Sequence, residues 1–237
     1  PTLMYGRDQK LLEPYFSPYL KNYPEESKEE AAAGQVYWTT DRESIIGLGY
    51  NSKLLSADEA PKSFDDLLKP SLQGKLAVSG DATGARMVGA MIKIKGEEFV
   101  RKLKAQNMKM YMISGGALQE LMAAGEFPAS FSIFRNHVLL AQSKGAPSQW
   151  VAPELTVANA GGIALPAHAN RPHSALLFID FMISPEGQQI LEEKFRYASS
   201  TKQYPFKRWY PEKGLSTAEF EKQFNKWQKL LRQIARR

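Results

Sequence analysis

The chain has 237 residues, 43% hydrophobic and 24% charged, which supplies a sizeable core and excludes a disordered polyelectrolyte. It has no cysteine, which excludes disulfides, thiolate metal sites and cysteine nucleophiles, and no apolar run of the roughly 18 residues that a membrane span needs. The net charge of +6 is local: residues 201–237 carry ten Lys/Arg against three Glu, the preceding 200 sum to −1, and no nucleic-acid partner is expected.

Residues 1–8 have no signal-peptide pattern and read as an internal cut. Residues 35–42 and 44–50 read as extended chain. Asp41 and Glu43, two apart on one strand face, read as surface charge rather than acid–base machinery. From Lys75 onward, strand-like and helix-like segments alternate, the pattern of a mostly parallel sheet with crossover helices. Residues 75–79 form a strand, 80–84 a turn and 85–92 a helix. Residues 96–104 place Phe99, Val100 and Leu103 on one helical face. Residues 108–113 are apolar enough for a buried strand, and the helix after it opens on a Ser114 cap and closes at Gly125. Another strand covers 128–133, and a helix follows to Lys144. Residues 155–165 are extended again and, with 35–50, could pair as a two-strand hinge. His168 and His173 stand five apart in a loop, poor spacing for a metal, and read as solvated or capping. Ser184 and Pro185 open a further helix. In the tail, the capping box Ser216/Glu219 precedes Phe220, Phe224, Trp227, Leu230, Leu231 and Ile234 on one face. That helix reads as laid on its own globule with its Lys/Arg face in solvent, membrane or nucleic-acid binding being the alternative.

Five stretches stand in a recognisable order: Leu11-Leu-Glu-Pro-Tyr-Phe-Ser-Pro18, Tyr50-Asn-Ser-Lys-Leu-Leu55, Ala60-Pro-Lys-Ser-Phe-Asp-Asp-Leu-Leu68, Leu72-Gln-Gly-Lys-Leu76 and Phe178-Ile-Asp-Phe-Met-Ile-Ser-Pro-Glu-Gly-Gln188. Their order resembles that of the ferric-iron-type extracellular solute-binding proteins of ABC transporters, of the type II periplasmic binding fold. Each is weak alone; their order and spacing over nearly the whole chain are specific. The resemblance implies an α/β protein of two lobes joined by a two-strand hinge. Residues 1–49 and 160–200 would be part of the first lobe plus hinge strands, 50–159 the second lobe, and 201–237 a basic amphipathic helix packing on the lobes. Such proteins carry a secretion signal and a strand–helix–strand–helix section ahead of the segment at Leu11. The first lobe is therefore expected to be N-terminally truncated here, with self-association through exposed edges and apolar surface. The resemblance further implies a periplasmic or lipid-anchored extracytoplasmic location, a small-molecule or ion ligand, and an ABC permease in the membrane as partner. It implies no enzyme activity and no cofactor beyond a metal or anion bound as ligand.

In this fold the ligand sits in the interlobe crevice, and hinge closure creates the state a transporter recognises. Asp81, Ala82, Thr83 and Gly84 lie where a strand hands over to a helix, and free N–H groups there suit an oxyanion. Ser114, Gly115 and Gly116 repeat the arrangement, with small residues admitting a ligand to the backbone; ordinary caps and turns are the alternative. Arg42 matches the arginine that grips an anion on the entering strand, with a surface salt bridge as the alternative. Iron-binding members carry paired tyrosines ahead of a Gly-Ala-Pro-like turn. Ahead of Gly145-Ala-Pro147 stand Ser132-Ile-Phe-Arg-Asn-His137 instead, so the metal ligands stay unassigned, with Tyr37 open. Arg135, Asn136 and His137 are expected to recognise an anionic or polar organic solute. The implied function is capture of a small anionic or anion-associated ligand for an ABC importer. The alternatives are a ferric-iron protein using ligands outside the Tyr pair, a fold-sharing enzyme, or a regulator's sensor domain. No Gly-Lys-Ser/Thr phosphate loop, Gly-x-Ser-x-Gly elbow or His-Glu-x-x-His motif supports an enzyme.

Overall fold

The computed structural model describes residues 2–32 and 34–236. Helix α1 (Thr2–Asp8) and strands β1 (Leu12–Glu13), β2 (Lys28–Glu30) and β3 (Val36–Asn51) open the chain. Then come β4 (Leu76–Ser79), α2 (Ala82–Lys95), α3 (Glu97–Lys102), β5 (Met108–Tyr111), α4 (Gly115–Ala124), β6 (Ala129–Phe134), α5 (Arg135–Gln142) and β7 (Ser148–Val151). Strand β8 (Thr156–Pro166), helices α6 (Pro172–Ile183) and α7 (Pro185–Phe195), β9 (Arg208–Trp209), α8 (Thr217–Ile234) and β10 (Ala235–Arg236) complete it.

The chain divides into two compact units. Unit 1 runs up to Ser44 and includes Asn159–Tyr204 and Glu212–Phe220; unit 2 comprises Ile45–Ala158, Pro205–Pro211 and the chain from Glu221 on. Strands β3 and β8 are each continuous across that division.

In unit 1, β2 pairs antiparallel with the start of β3, Lys28 opposite Thr39, and β1 with the end of β8, Leu12 opposite Pro166. The core gathers Tyr15, Leu20, Tyr23, Val36, Leu165, Ile179 and Ile183. Burial raises the Tyr15 and Tyr23 phenols well above the ordinary tyrosine value, and each hydroxyl donates to a backbone carbonyl, of Ile163 and Ile183 respectively. They are structural groups, not phenolates. Helix α6 buries only Ile179 and Ile183, one turn apart, and leaves Leu177, Phe178 and Phe181 exposed. Helix α7 starts as its sequence signals require: Ser184 Oγ accepts from Gly187 N–H at 3.1 Å, with Pro185 in the first turn.

In unit 2, strands β6, β4, β5 and β10 run side by side in that order and parallel, and β3 joins β6 antiparallel with Ile46 opposite Phe134. Neighbouring parallel strands require crossovers, which α2 with α3 and then α4 supply. Strands β4 and β6 are buried along their whole length, as central parallel strands covered on both faces must be. The polar residues inside them are matched to each other: Ser132 Oγ accepts from Ser79 N–H at 2.9 Å and lies 3.2 Å from Ser130 Oγ. Core residues Ala77, Leu118, Met122, Phe127, Ile133 and Val138 form one cluster.

Two differences from the sequence expectation stand out. Residues 82–84, expected in a turn, form the first turn of α2, because the Asp81 carboxylate caps it. The tail adds a strand as well as a helix. The capping box forms as read, Ser216 N–H donating to Glu219 Oε2 at 2.8 Å and Glu219 N–H to Ser216 Oγ at 3.3 Å. Downstream, Trp227 packs on Gly89 and Leu231 on Gly84, and β10 then pairs with β5, Ala235 opposite Met108.

Candidate functional site

Three neighbouring parallel strands of unit 2 each end in a helix N-terminus: β4 leads into α2, β5 into α4 and β6 into α5. The carboxyl ends of parallel strands are where α/β sheets present backbone donors to ligands. The ends are close together. A Cβ on Gly115, at the start of α4, would lie 2.6 Å from the Phe134 ring and 3.1 Å from Thr83 Cγ2. One on Gly116 would lie 2.9 Å from His137 Cε1. The structure thus brings Asp81, Ala82, Thr83, Gly84, Ser114, Gly115, Gly116, Arg135, Asn136 and His137 to one edge of unit 2. The two glycines also have a structural reason: they make room for Phe134 and His137. Gly84 likewise lets α2 press on β4, since its Cβ would stand 2.0 Å from the Ser79 carbonyl oxygen.

The three termini differ electrically. At α2, Asp81 Oδ1 accepts from Thr83 N–H at 2.7 Å and from Ser79 Oγ at 2.6 Å, so a carboxylate already meets the helix dipole. At α4, the neutral Ser114 Oγ accepts from Ala117 N–H at 3.3 Å. At α5, no side chain caps the first turn. Asn136 is 2% exposed, yet its Oδ1 has no hydrogen-bond partner, and the same holds for the buried His137 Nδ1. Burial lowers the His137 pKa from its ordinary value, with Glu120 opposing the shift more weakly, so the imidazole is neutral at pH 7. Buried polar atoms without partners are uncommon, and these two stand at the start of α5, the one of the three helices whose first turn no side chain caps.

Arg42 lies on β3 in unit 1. Its Nη1 donates to Asp41 Oδ2 at 2.6 Å, and its Cζ sits 5.6 Å from the centre of the Tyr197 ring. Asp41 and Glu43 are not surface charges. They are 4% and 0% exposed, and Glu43 Oε1 accepts from Ser200 Oγ at 2.6 Å. His168 and His173 are exposed, in keeping with solvated side chains. Among the described residues, no three His, Cys, Asp or Glu side chains gather as a metal site, and no helix is long and apolar enough to cross a membrane.

Over residues 4–216 the chain matches the family of bacterial extracellular solute-binding proteins. It belongs to that family. A curated relative in Haemophilus influenzae, described only as uncharacterized, is 28% identical over 191 residues, 76% of this chain and 55% of the relative. The chain therefore spans about half the length of that relative. The periplasmic binding protein AfuA from Actinobacillus pleuropneumoniae, solved with exogenous fructose-6-phosphate bound, superposes with a TM-score of 0.72 at 22% identity, covering 97% of this chain and 79% of that one. Iron-bound HitA from Pseudomonas aeruginosa gives 0.71 at 21% identity, covering 98% and 79%. Such likeness shows the fold, an α/β type II periplasmic-binding-protein fold. Members of this family bind solutes and are placed outside the cytoplasm.

Around the candidate residues lie Asp41, which the strand pattern places at the surface, and Ser79, Phe134 and Tyr197, for which the sequence carries no local signal. The signal that was present is the Gly161-Gly162 pair inside β8. A Cβ on Gly161 would sit 2.7 Å from both Arg42 Nη1 and Asp41 Oδ1, so glycine there keeps room for the ion pair.

Proposed function

We propose that this chain is the solute-binding component of an ABC importer, capturing a small anionic or anion-associated solute and handing it to a membrane permease. The carrying observation is the convergence of three helix N-termini in unit 2, with the unpartnered Asn136 Oδ1 and His137 Nδ1 among them. Donors suited to an oxyanion and polar atoms suited to the rest of an organic solute stand together there. In unit 1, Arg42 supplies a guanidinium whose side chain is 42% exposed. The fructose-6-phosphate bound to AfuA makes phosphate esters the first solutes to try, and an anion-chelated metal falls within the same reading. The action is binding without a chemical step. In this reading β3 and β8 serve as hinge strands, and the protein works in the periplasm or lipid-anchored outside the membrane.

The test is a thermal-shift screen with inorganic phosphate, fructose 6-phosphate, citrate, ferric citrate, neutral sugars and polyamines. A solute that binds only the folded form raises the melting temperature, by about 2.7 kcal/mol of added stability at a hundred times its Kd. Anionic compounds are expected to shift it, and Arg42→Ala to weaken their binding about tenfold or more, roughly 1.4 kcal/mol. A protein that responds to neutral sugars or polyamines alone would end the anion reading.

A further inference from the structure

We propose that Asp41 is a positioning residue that, together with Tyr197, aims Arg42 at an oxyanion. The inference rests on the anion reading for Arg42 and assigns what holds that side chain ready. Asp41 is 4% exposed and gives one oxygen to Arg42 Nη1 at 2.6 Å, while its other oxygen, Oδ1, is buried without a hydrogen-bond partner. A half-satisfied buried carboxylate opposes folding, so a stabilising role alone does not account for it.

The surroundings fix the geometry instead. The Asp41 backbone is pinned by Gln188, whose Nε2 donates to the Asp41 carbonyl at 2.6 Å. Helix α7 ends on Arg196 in the left-handed conformation, and the next residue, Tyr197, brings its ring against the guanidinium. Ala198 and Glu43 then exchange two backbone hydrogen bonds of 2.9 Å, which lock the Tyr197 segment to β3. Gly161 leaves the space in which the ion pair lies. With Asp41 holding Nη1 and the Tyr197 ring 5.6 Å from Cζ, two neighbours restrict the guanidinium, and a restricted fork binds phosphate or carboxylate in paired fashion at small entropic cost.

Charge and positioning predict opposite signs for Asp41→Asn. Removing a negative charge beside an anion site should tighten anion binding if Asp41 acts only through charge. Loss of an orienting partner should weaken it, by about tenfold. The experiment is calorimetric titration of inorganic phosphate into wild type, Asp41→Asn, Arg42→Ala and the double variant, with Tyr197→Leu as an independent probe of the same support. Expected are about tenfold losses for Asp41→Asn and for Tyr197→Leu, and no further loss when Asp41→Asn is added to Arg42→Ala. Unchanged or tighter binding by Asp41→Asn, or an equal loss in the Arg42→Ala background, overturns the inference while the anion reading stands. Equal phosphate binding by wild type and Arg42→Ala overturns the inference by removing Arg42 from the site, and no binding by wild type of phosphate, fructose 6-phosphate or citrate overturns the anion reading with it.

Discussion

His137 is half-buried with Nδ1 out of reach of any partner, and burial lowers its pKa from the ordinary 6.5. The unfolded chain therefore takes up a proton at higher pH than the folded one. The native state has its full stability above about pH 6.5 and loses stability as the pH falls from there through the lowered folded pKa. Urea midpoints measured from pH 7.5 down to 5 should fall more steeply for wild type than for His137→Gln; parallel curves would show that the buried imidazole does not titrate as described. A bound solute that supplies a donor to Nδ1 should hold the imidazole neutral to still lower pH. The place of Asn136 and His137, ahead of the Gly145-Ala-Pro147 turn, was legible in the sequence, whereas their missing partners were not. Asp41 and Glu43 show the limit more sharply. Alternation along a strand says that they share a face, but which face is covered depends on residues far away in sequence, here Gln188 and Ser200.

Helix starts were the most legible elements because capping is local chemistry. Ser114, Ser184 and the Ser216/Glu219 box cap as their spacing indicates, each within three residues of its partner. Helix α2 was legible only in its later turns. The run of small residues at 82–84 suggested a turn, and what requires glycine at 84 is the close approach of α2 to the Ser79 carbonyl on β4. Gly84→Ala tests that packing. Its methyl group would stand 2.0 Å from a backbone oxygen and 2.9 Å from Val78 Cγ2, where neither neighbour is a flexible chain end. The expected cost is about 1–3 kcal/mol, read as a lower denaturant midpoint with an unchanged slope. A neutral outcome would mean that α2 can slide on β4. Helix α6 shows the reverse case, a mostly apolar helix that buries only a narrow stripe.

At the scale of the molecule, that exposed apolar surface bears on association. Leu177, Phe178 and Phe181 of α6 with Ile190 and Phe195 of α7 are all more than 40% exposed in unit 1. Exposed apolar groups in this number favour contact with another surface over water. Sedimentation velocity of this chain over a hundredfold concentration range should show reversible self-association, and Leu177→Glu combined with Phe178→Glu should suppress it. A single species at all concentrations would remove self-association from the functional reading. The sequence by itself determined the element types over most of the chain, the parallel α/β pattern after Lys75 and the family, because caps, periodicity and segment order are written in neighbouring residues. Tertiary structure alone decided that residues 205–211 and the chain from Glu221 on belong with unit 2, that Asp41 and Glu43 are buried, and that Phe134 and His137 fill the space above Gly115 and Gly116. Each of those outcomes depends on contacts between residues distant in the chain, whose partners no local pattern names.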